Sequence, residues 1–141
     1  MLTEDDHDFI DRLERQQIEE PLPDHLKSWE EVLAYYVRIK SALGALNMLQ
    51  LCRQIQSSVL ATGLFVWTSH ADLCIQQTRS YPYTAPYLRV SPLRGDRVEF
   101  RYFDTPIVSK QWHRIVPAEK AFDRLVKFTE QLHWFARRDA I

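Results

Sequence analysis

Two amphipathic helices are predicted in the first half of the chain. Four apolar residues near the N-terminus form a narrow stripe: Phe9, Ile10, Leu13 and Ile18. This stripe predicts a surface helix over residues 1–20, because the proline at position 21 cannot continue a helix. A broader stripe follows the capping sequence that starts at Ser28. Its apolar members are Val32, Leu33, Tyr36, Val37, Ile39, Leu43, Leu46, Met48, Leu51, Cys52, Ile55 and Val59.

The second stripe is compatible with one long helix over residues 28–61 or with two helices separated near Gly44. We favour one long helix, because residues 41–47 contain no proline and no clear loop signal. A glycine costs only about 1 kcal/mol relative to alanine inside a helix. One continuous helix places Leu43 and Leu46 in the core, where each change to alanine is expected to destabilise the protein by about 2–5 kcal/mol.

After Gly63 the apolar residues recur at every second position, which is typical of strands. Five strands are predicted, over residues 64–69, 73–78, 87–91, 97–103 and 111–116. The clearest turn between them is Arg94-Gly95-Asp96. Pro117 suits the first position of a last helix. In that helix apolar residues return to helical spacing at Phe122, Leu125, Phe128, Leu132 and Phe135.

This order of elements predicts an α+β fold, because strands that follow one another without intervening helices form an antiparallel sheet. We expect two N-terminal helices, the second of them long, a five-stranded antiparallel sheet and a C-terminal helix in a two-layer sandwich. The 141 residues are enough for one domain with a substantial core. We therefore predict a single domain over 1–141, in which residues 1–20 form an acidic surface helix or arm.

The net charge of −1 conceals two segments of opposite charge. Residues 1–31 carry eleven carboxylates and three basic side chains, a net charge of −8. Residues 79–114 carry seven basic and three acidic side chains, a net charge of +4. Segments of opposite charge either steer an outside partner or satisfy each other within one fold.

The basic segment forms one face of the predicted sheet. Alternation places Arg89, Arg97, Glu99, Arg101 and Phe103 opposite the apolar side chains of the same strands. Arginine and tyrosine are enriched at interface hot spots, and a proline-containing loop brings two tyrosines before these strands. We predict a partner-binding surface that consists of Arg89, Arg97, Arg101, Phe103, Tyr81 and Tyr83. Two structural interpretations compete with it: a cross-strand ladder of Arg and Glu, and docking of the acidic first helix over the same face.

A small-ligand site is the alternative function, as a binding protein or as an enzyme. Tyr36, Trp67 and Trp112 are the aromatic residues that would line a cleft between the long helix and the sheet. A ligand-binding protein should contain an apolar pocket of about 300 Å³ or more with a few inward polar groups. A partner-binding protein should instead have a filled core and an exposed charged or aromatic patch.

The sequence contains no recognisable catalytic, metal-binding or nucleotide-binding motif. The five histidines and two cysteines have no metal-ligand spacing, and no serine lies in a nucleophile-elbow context. Three glycines are too few for a glycine-rich phosphate loop. We therefore predict no catalytic residue, no metal and no cofactor, which favours a protein that is not an enzyme.

The remaining signals concern partners and location. A pI near 6.5 and an acidic N-terminus disfavour nucleic-acid binding. The weakly charged residues 41–71 contain no apolar run long enough for a membrane span. Cys52 and Cys74 are expected to be buried, reduced thiols, and the acidic start lacks an export signal, so a cytoplasmic location is expected. The prediction is a protein of the inhibitor, immunity or chaperone type that binds a protein partner; neither that partner nor the oligomeric state is indicated.

Overall fold

The computed structural model describes residues 25–79 and 85–134, and this part of the chain is an α+β fold. The predicted first helix, Tyr81, Tyr83 and Phe135 lie outside the described residues. The helices are α1 (Trp29–Arg38), α2 (Ala45–Gln56) and α3 (Ala121–Gln131). The strands are β1 (Phe65–Ser69), β2 (Asp72–Gln76), β3 (Tyr87–Leu93), β4 (Arg97–Phe103) and β5 (His113–Pro117). Short 3-10 turns occupy Val59–Thr62, Val108–Lys110 and Ala118–Lys120.

The five strands form one antiparallel sheet in the order β1-β2-β3-β4-β5. The predicted five-stranded antiparallel sheet is therefore confirmed. The strand ends differ from the prediction by one or two residues. Shifts of two residues occur at the ends of β2 and β3 and at the start of β5, which begins at His113 rather than at position 111.

The three described helices pack on one side of the sheet, which we call the inner face. Its fully buried side chains are Val66, Leu73, Ile75, Leu88, Val90, Val98 and Phe100. The helices contribute Tyr36, Met48, Leu51, Leu125 and Phe128 to the same core. This arrangement confirms the predicted two-layer sandwich.

The predicted long helix is wrong, because the chain forms two helices there. Helix α1 ends at Arg38, and Gly44 is the N-cap of α2 with φ of 74°. That left-handed conformation suits glycine, which has no Cβ to oppose it. An ideal Cβ on Gly44 would also lie 2.4 Å from Cβ of Pro92 in β3. The glycine therefore lets the turn between the helices press against the sheet.

The break also overturns the predicted burial of two leucines. Leu43 and Leu46 are each 61% exposed, so their truncation to alanine removes little buried surface and the expected loss of 2–5 kcal/mol does not apply. The buried face of α2 instead consists of Ala45, Met48, Leu49, Leu51, Cys52 and Ile55. Both ends of the predicted stripe are thus correct, with Val32 and Tyr36 buried on α1, whereas its middle fails because Leu43 lies in the turn and Leu46 lies on the exposed side of α2.

Both cysteines are buried free thiols, as predicted. Cys52 lies in the core on the inner face, whereas Cys74 lies in a second cluster on the other side of the sheet. Burial raises the pKa of each thiol to about 12. None of the helices in the described ranges has the length and hydropathy that crossing a bilayer requires.

These thiols are expected to be inert in the folded protein. The thiolate is the reactive form, and with a pKa of about 12 only about one thiol in 10⁴ is ionised at pH 8. A chromogenic disulfide reagent should therefore modify neither cysteine before unfolding and both after addition of guanidinium. Rapid modification of one thiol per chain in the folded protein would contradict this burial.

Candidate protein-binding surface on the outer sheet face

The outer face is the side of the sheet that points away from the three described helices. Strand pairing arranges its side chains in rows across the strands. The first row contains Phe65, Gln76, Tyr87 and Phe103. The second row, which we call the central row, contains Trp67, Cys74, Arg89, Arg101 and His113.

An aromatic cluster occupies the end of the outer face that holds the first row. The rings of Tyr87 and Phe103 are stacked, with centroids 4.9 Å apart and planes at 7°. The ring of Trp67 lies 5.6 Å from that of Tyr87. Leu26, Trp67, Cys74 and Tyr87 are buried in this cluster. Its members form a second, smaller core, which fixes the orientation of Phe103.

Arg89 is held within the sheet by two neighbours. Its Nε donates to Oδ2 of Asp72 at 2.7 Å, and its Nη2 donates to Oγ of Ser69 at 3.2 Å. Burial, the largest single cause, lowers the pKa of Arg89, but the hydrogen bond with Asp72 together with smaller electrostatic contributions from Asp72 and neighbouring groups raises the pKa overall. The guanidinium is therefore a fixed cation whose charge a carboxylate largely balances.

Arg101 belongs to a second polar network. Its Nη2 lies 3.9 Å from Oε2 of Glu99, and the same carboxylate oxygen lies 2.7 Å from Nε2 of His113. Its Nη1 donates to Oε1 of Gln111 at 3.4 Å. Arg89 and Arg101 face each other across β3 and β4, a pairing that is destabilising for uncompensated like charges. One nearby carboxylate for each arginine removes that repulsion.

Two of the three cations on the predicted arginine face are therefore paired with carboxylates, Arg89 across strands with Asp72 and Arg101 along its own strand with Glu99. Arg97 differs, because it is exposed and donates Nε only to the carbonyl oxygen of Arg94 at 3.1 Å. A broad anion-binding platform does not follow from this arrangement. The outer face offers instead a polar network beside an aromatic end.

A groove that sequence reasoning missed opens beside the aromatic end, and we call it the end groove. It has a volume of about 560 Å³. It is lined by Ala85, Pro86, Tyr87, Phe103, Asp104, Thr105, Pro106, Val108 and Gln111. Gln111 joins it to the polar network, because this side chain also donates Nε2 to the carbonyl of Thr105 at 3.0 Å. The signal in the sequence is the apolar pair Ile107 and Val108 in the loop after β4; the two side chains are 49% and 67% exposed, and Val108 lines the groove.

The three residues of the predicted ligand cleft do not meet. Tyr36 is fully buried on the inner face, and its hydroxyl donates to the carbonyl of Ala71 at 2.9 Å. Burial, as the largest cause, raises the pKa of that hydroxyl above its usual range. Trp67 lies on the outer face. Trp112 packs against Phe128, with ring centroids 5.0 Å apart.

A different recess does lie between α2 and one end of the sheet. It has a volume of about 490 Å³ and is lined by Asn47, Gln50, Leu51, Gln54, Gly95, Asp96, Pro117, Ala118 and Glu119. Most of these side chains are polar, whereas small-ligand sites are predominantly apolar. The recess is therefore weaker evidence for a small-ligand function than the end groove is for binding of a protein partner.

The open edge of the sheet at β5 is protected against strand addition. The guanidinium of Arg114 donates to the carbonyl oxygen of His113 at 2.7 Å. The strand is five residues long and ends at Pro117, which has no amide hydrogen to donate. Charged side chains, short strands and proline are the usual protection of sheet edges, so pairing with a strand of a partner is disfavoured here.

Comparisons with known proteins do not add a relative. No protein-family model, curated protein or solved structure matches the chain. Among the described residues, no group of three or more His, Cys, Asp or Glu side chains is placed to hold a metal ion.

Proposed function

We propose that this chain is a cytoplasmic, non-enzymatic protein that binds a protein partner through the end groove. The observation that carries the proposal is an open, largely apolar groove of about 560 Å³ that adjoins a polar network. Protein interfaces have this composition, with apolar and aromatic residues at the centre and polar residues at the rim. Inhibitors, immunity proteins and chaperones all act by binding of this kind.

The lining of the groove indicates the chemistry of the partner segment. Grooves lined by aromatic residues bind extended peptides, including those with a polyproline conformation. The stacked rings of Tyr87 and Phe103 give the end groove a rigid aromatic side, and Pro86 and Pro106 add further apolar lining. We expect an extended segment of the partner that places an apolar side chain against Phe103 and Val108.

The polar network supplies the rim of this interface. Arg101 is joined to the groove through Gln111, and Glu99 pairs with Arg101 and His113 further along the face. Charged groups at a rim set orientation and association rate more than affinity. Because Arg89 and Arg101 are balanced by carboxylates, few cations remain on this face for phosphate groups, which argues against nucleic acid as the partner. Buried free thiols are consistent with a reducing compartment such as the cytoplasm.

Capture of the partner tests this proposal. The full chain is used as bait in an extract of its native host, and retained proteins are identified by mass spectrometry. Val108→Glu should reduce recovery of the partner by about tenfold or more, because a carboxylate enters the apolar groove; such a loss corresponds to about 1.4 kcal/mol of binding energy.

Val59→Glu is the matched control for this experiment. Val59 is 83% exposed on the 3-10 turn after α2, away from the groove, so its substitution should leave recovery unchanged. Equal recovery by wild type and both variants would show that the end groove is not the binding site. Reduced recovery of the partner with Val59→Glu but not with Val108→Glu would place the interface on the helical side of the molecule. That result would also contradict the proposal.

A further inference from the structure

We infer that the acidic residues 1–24 dock on the outer face of their own chain, along the central row of Trp67, Cys74, Arg89, Arg101 and His113, and leave the end groove open. This intramolecular interaction goes beyond the proposed function and does not depend on it. Three features support it: where the described chain begins, how charge divides along the sequence, and how far the segment can reach.

The described chain begins on the outer face. The ring of His25 lies 5.8 Å from that of Trp67 in an edge-on arrangement. Leu26 is buried in the same cluster as Trp67 and Cys74. The amide of Lys27 then donates to the carbonyl of Val66 in the edge strand β1, at 2.8 Å. The described chain therefore begins at the Trp67 end of the central row.

Charge divides sharply at the same point in the sequence. Residues 1–24 carry nine carboxylates and two arginines, a net charge of −7, whereas residues 25–141 carry 16 basic and 10 acidic side chains, a net charge of +6. The outer face itself carries Arg89, Arg97 and Arg101 against Asp72 and Glu99. Attraction between the segment and the rest of the chain is thus favourable, and the outer face, where Asp72 and Glu99 offset two of the three arginines, keeps a positive excess of one that suits an acidic segment.

Length requires the docked segment to begin near the edge strand β1. Residues 21–24 span at most about 14 Å when extended, so the preceding segment must begin close to His25. A 20-residue helix is about 30 Å long, and a sheet of five strands is about 19 Å wide. The segment is therefore long enough to cross every strand of the central row.

Apolar contacts must supply most of the docking energy. Exposed ion pairs contribute little individually, whereas Phe9, Ile10 and Leu13 form a compact apolar group in the sequence. Phe65, the partly buried member of the aromatic cluster on the edge strand β1, is the apolar side chain next to the point of attachment. We expect Phe9 and Leu13 to pack there, with the carboxylates towards the arginines.

A competing basic surface exists on the opposite side of the molecule. The guanidinium groups of Arg114 and Arg124 lie 5.1 and 5.3 Å from the ring centroid of Trp112. Arg124 and Trp112 belong to the inner side, where α3 packs. Docking at that site would require the segment to leave the outer face and pass around the sheet.

Paramagnetic relaxation in the full chain locates the segment. Asp11→Cys supplies the only reactive thiol for a nitroxide label, because both native thiols are buried with raised pKa values. We expect the amide signals of Arg89 and Arg101 to lose most of their intensity. The signals of Gln50, on the exposed side of α2, and of Arg124 should keep theirs.

Two double variants of the labelled chain distinguish specific docking from attenuation that arises only because the segment is tethered near the sheet. Phe9→Ser with Leu13→Ser should restore the signals of Arg89 and Arg101. Leu43→Ser with Leu46→Ser makes the same kind of change at two exposed leucines and should leave the attenuation unchanged. The dispersion of the amide spectrum reports in each case whether the protein is folded.

Three results would overturn the inference. They are the absence of attenuation, attenuation centred on Arg114 and Arg124, and attenuation that appears only between a labelled chain and a second, isotope-enriched chain. The last result would mean that the segment binds another copy. Partner capture through Val108 uses no label and can fail or succeed independently, so failure of this inference is distinguishable from failure of the proposed function.

Discussion

Replacing Phe128 with alanine is expected to lower the free energy of unfolding by about 3–5 kcal/mol. Phe128 is fully buried on α3 and contacts three other aromatic residues. Its ring centroid lies 5.2 Å from that of Tyr102, 5.0 Å from that of Trp112 and 5.1 Å from that of Trp134. The substitution removes these contacts together and leaves a cavity where α3 joins the sheet.

Urea unfolding followed by circular dichroism measures this loss. Leu132→Ala is the control, because Leu132 follows the same helix and is 40% exposed. We expect it to change the free energy of unfolding by about 0.5 kcal/mol or less. A similarly small change for Phe128→Ala would contradict the packing of α3 against the sheet.

Gly44→Ala is expected to destabilise the protein by about 2–4 kcal/mol. The left-handed conformation costs a residue with a Cβ about 1–2 kcal/mol. In addition, the new Cβ would lie 2.4 Å from Cβ of Pro92. The turn between α1 and α2 must therefore move away from β3, which disturbs the core beneath it.

Gly95→Ala provides the matched comparison for this effect. Gly95 has nearly the same φ, 75° against 74°, but the nearest atom to its ideal Cβ is Nε of Arg97 at 3.8 Å. Only the conformational cost of about 1–2 kcal/mol then applies. The difference between the two urea midpoints isolates the contact with Pro92, and equal midpoints would mean that the turn does not press against the sheet.

The sheet could be predicted from the sequence because its signals are local. Alternation of apolar and polar residues located all five strands, and the turn at Gly95 fixed the pairing of β3 with β4. The interruption at Gly44 had no comparable signal. It depends on Pro92, which is distant in the sequence, so the helical periodicity continued through a turn that only the tertiary packing requires.

The candidate site could be predicted only in part, for related reasons. Alternation correctly placed Arg89, Arg101 and Phe103 on one face of the sheet. The partners of the arginines depend on register, which brings Asp72 of β2 to Arg89 and gives its guanidinium a fixed carboxylate. Aromatic residue type also proved a weak guide to position, because Tyr36 and Trp67 lie on opposite faces of the sheet.

The end groove was missed because two distant segments form it. Ala85, Pro86 and Tyr87 contribute from the start of β3, and residues 103–111 contribute from the end of β4 onward. Neither segment contains a binding motif. An exposed valine at position 108 becomes informative only when the stacked pair of Tyr87 and Phe103 is seen beside it.

Site-specific photo-crosslinking tests most directly whether the end groove binds a protein partner. The photoreactive residue p-benzoylphenylalanine replaces Val108 in one full-length chain and Val59 in another, both side chains being largely exposed. Irradiation in cells of the native host should join the chain labelled at position 108 to one protein of defined mass and should leave the chain labelled at position 59 without that product. The absence of a product at position 108, or the same product at both positions, would contradict the proposed function.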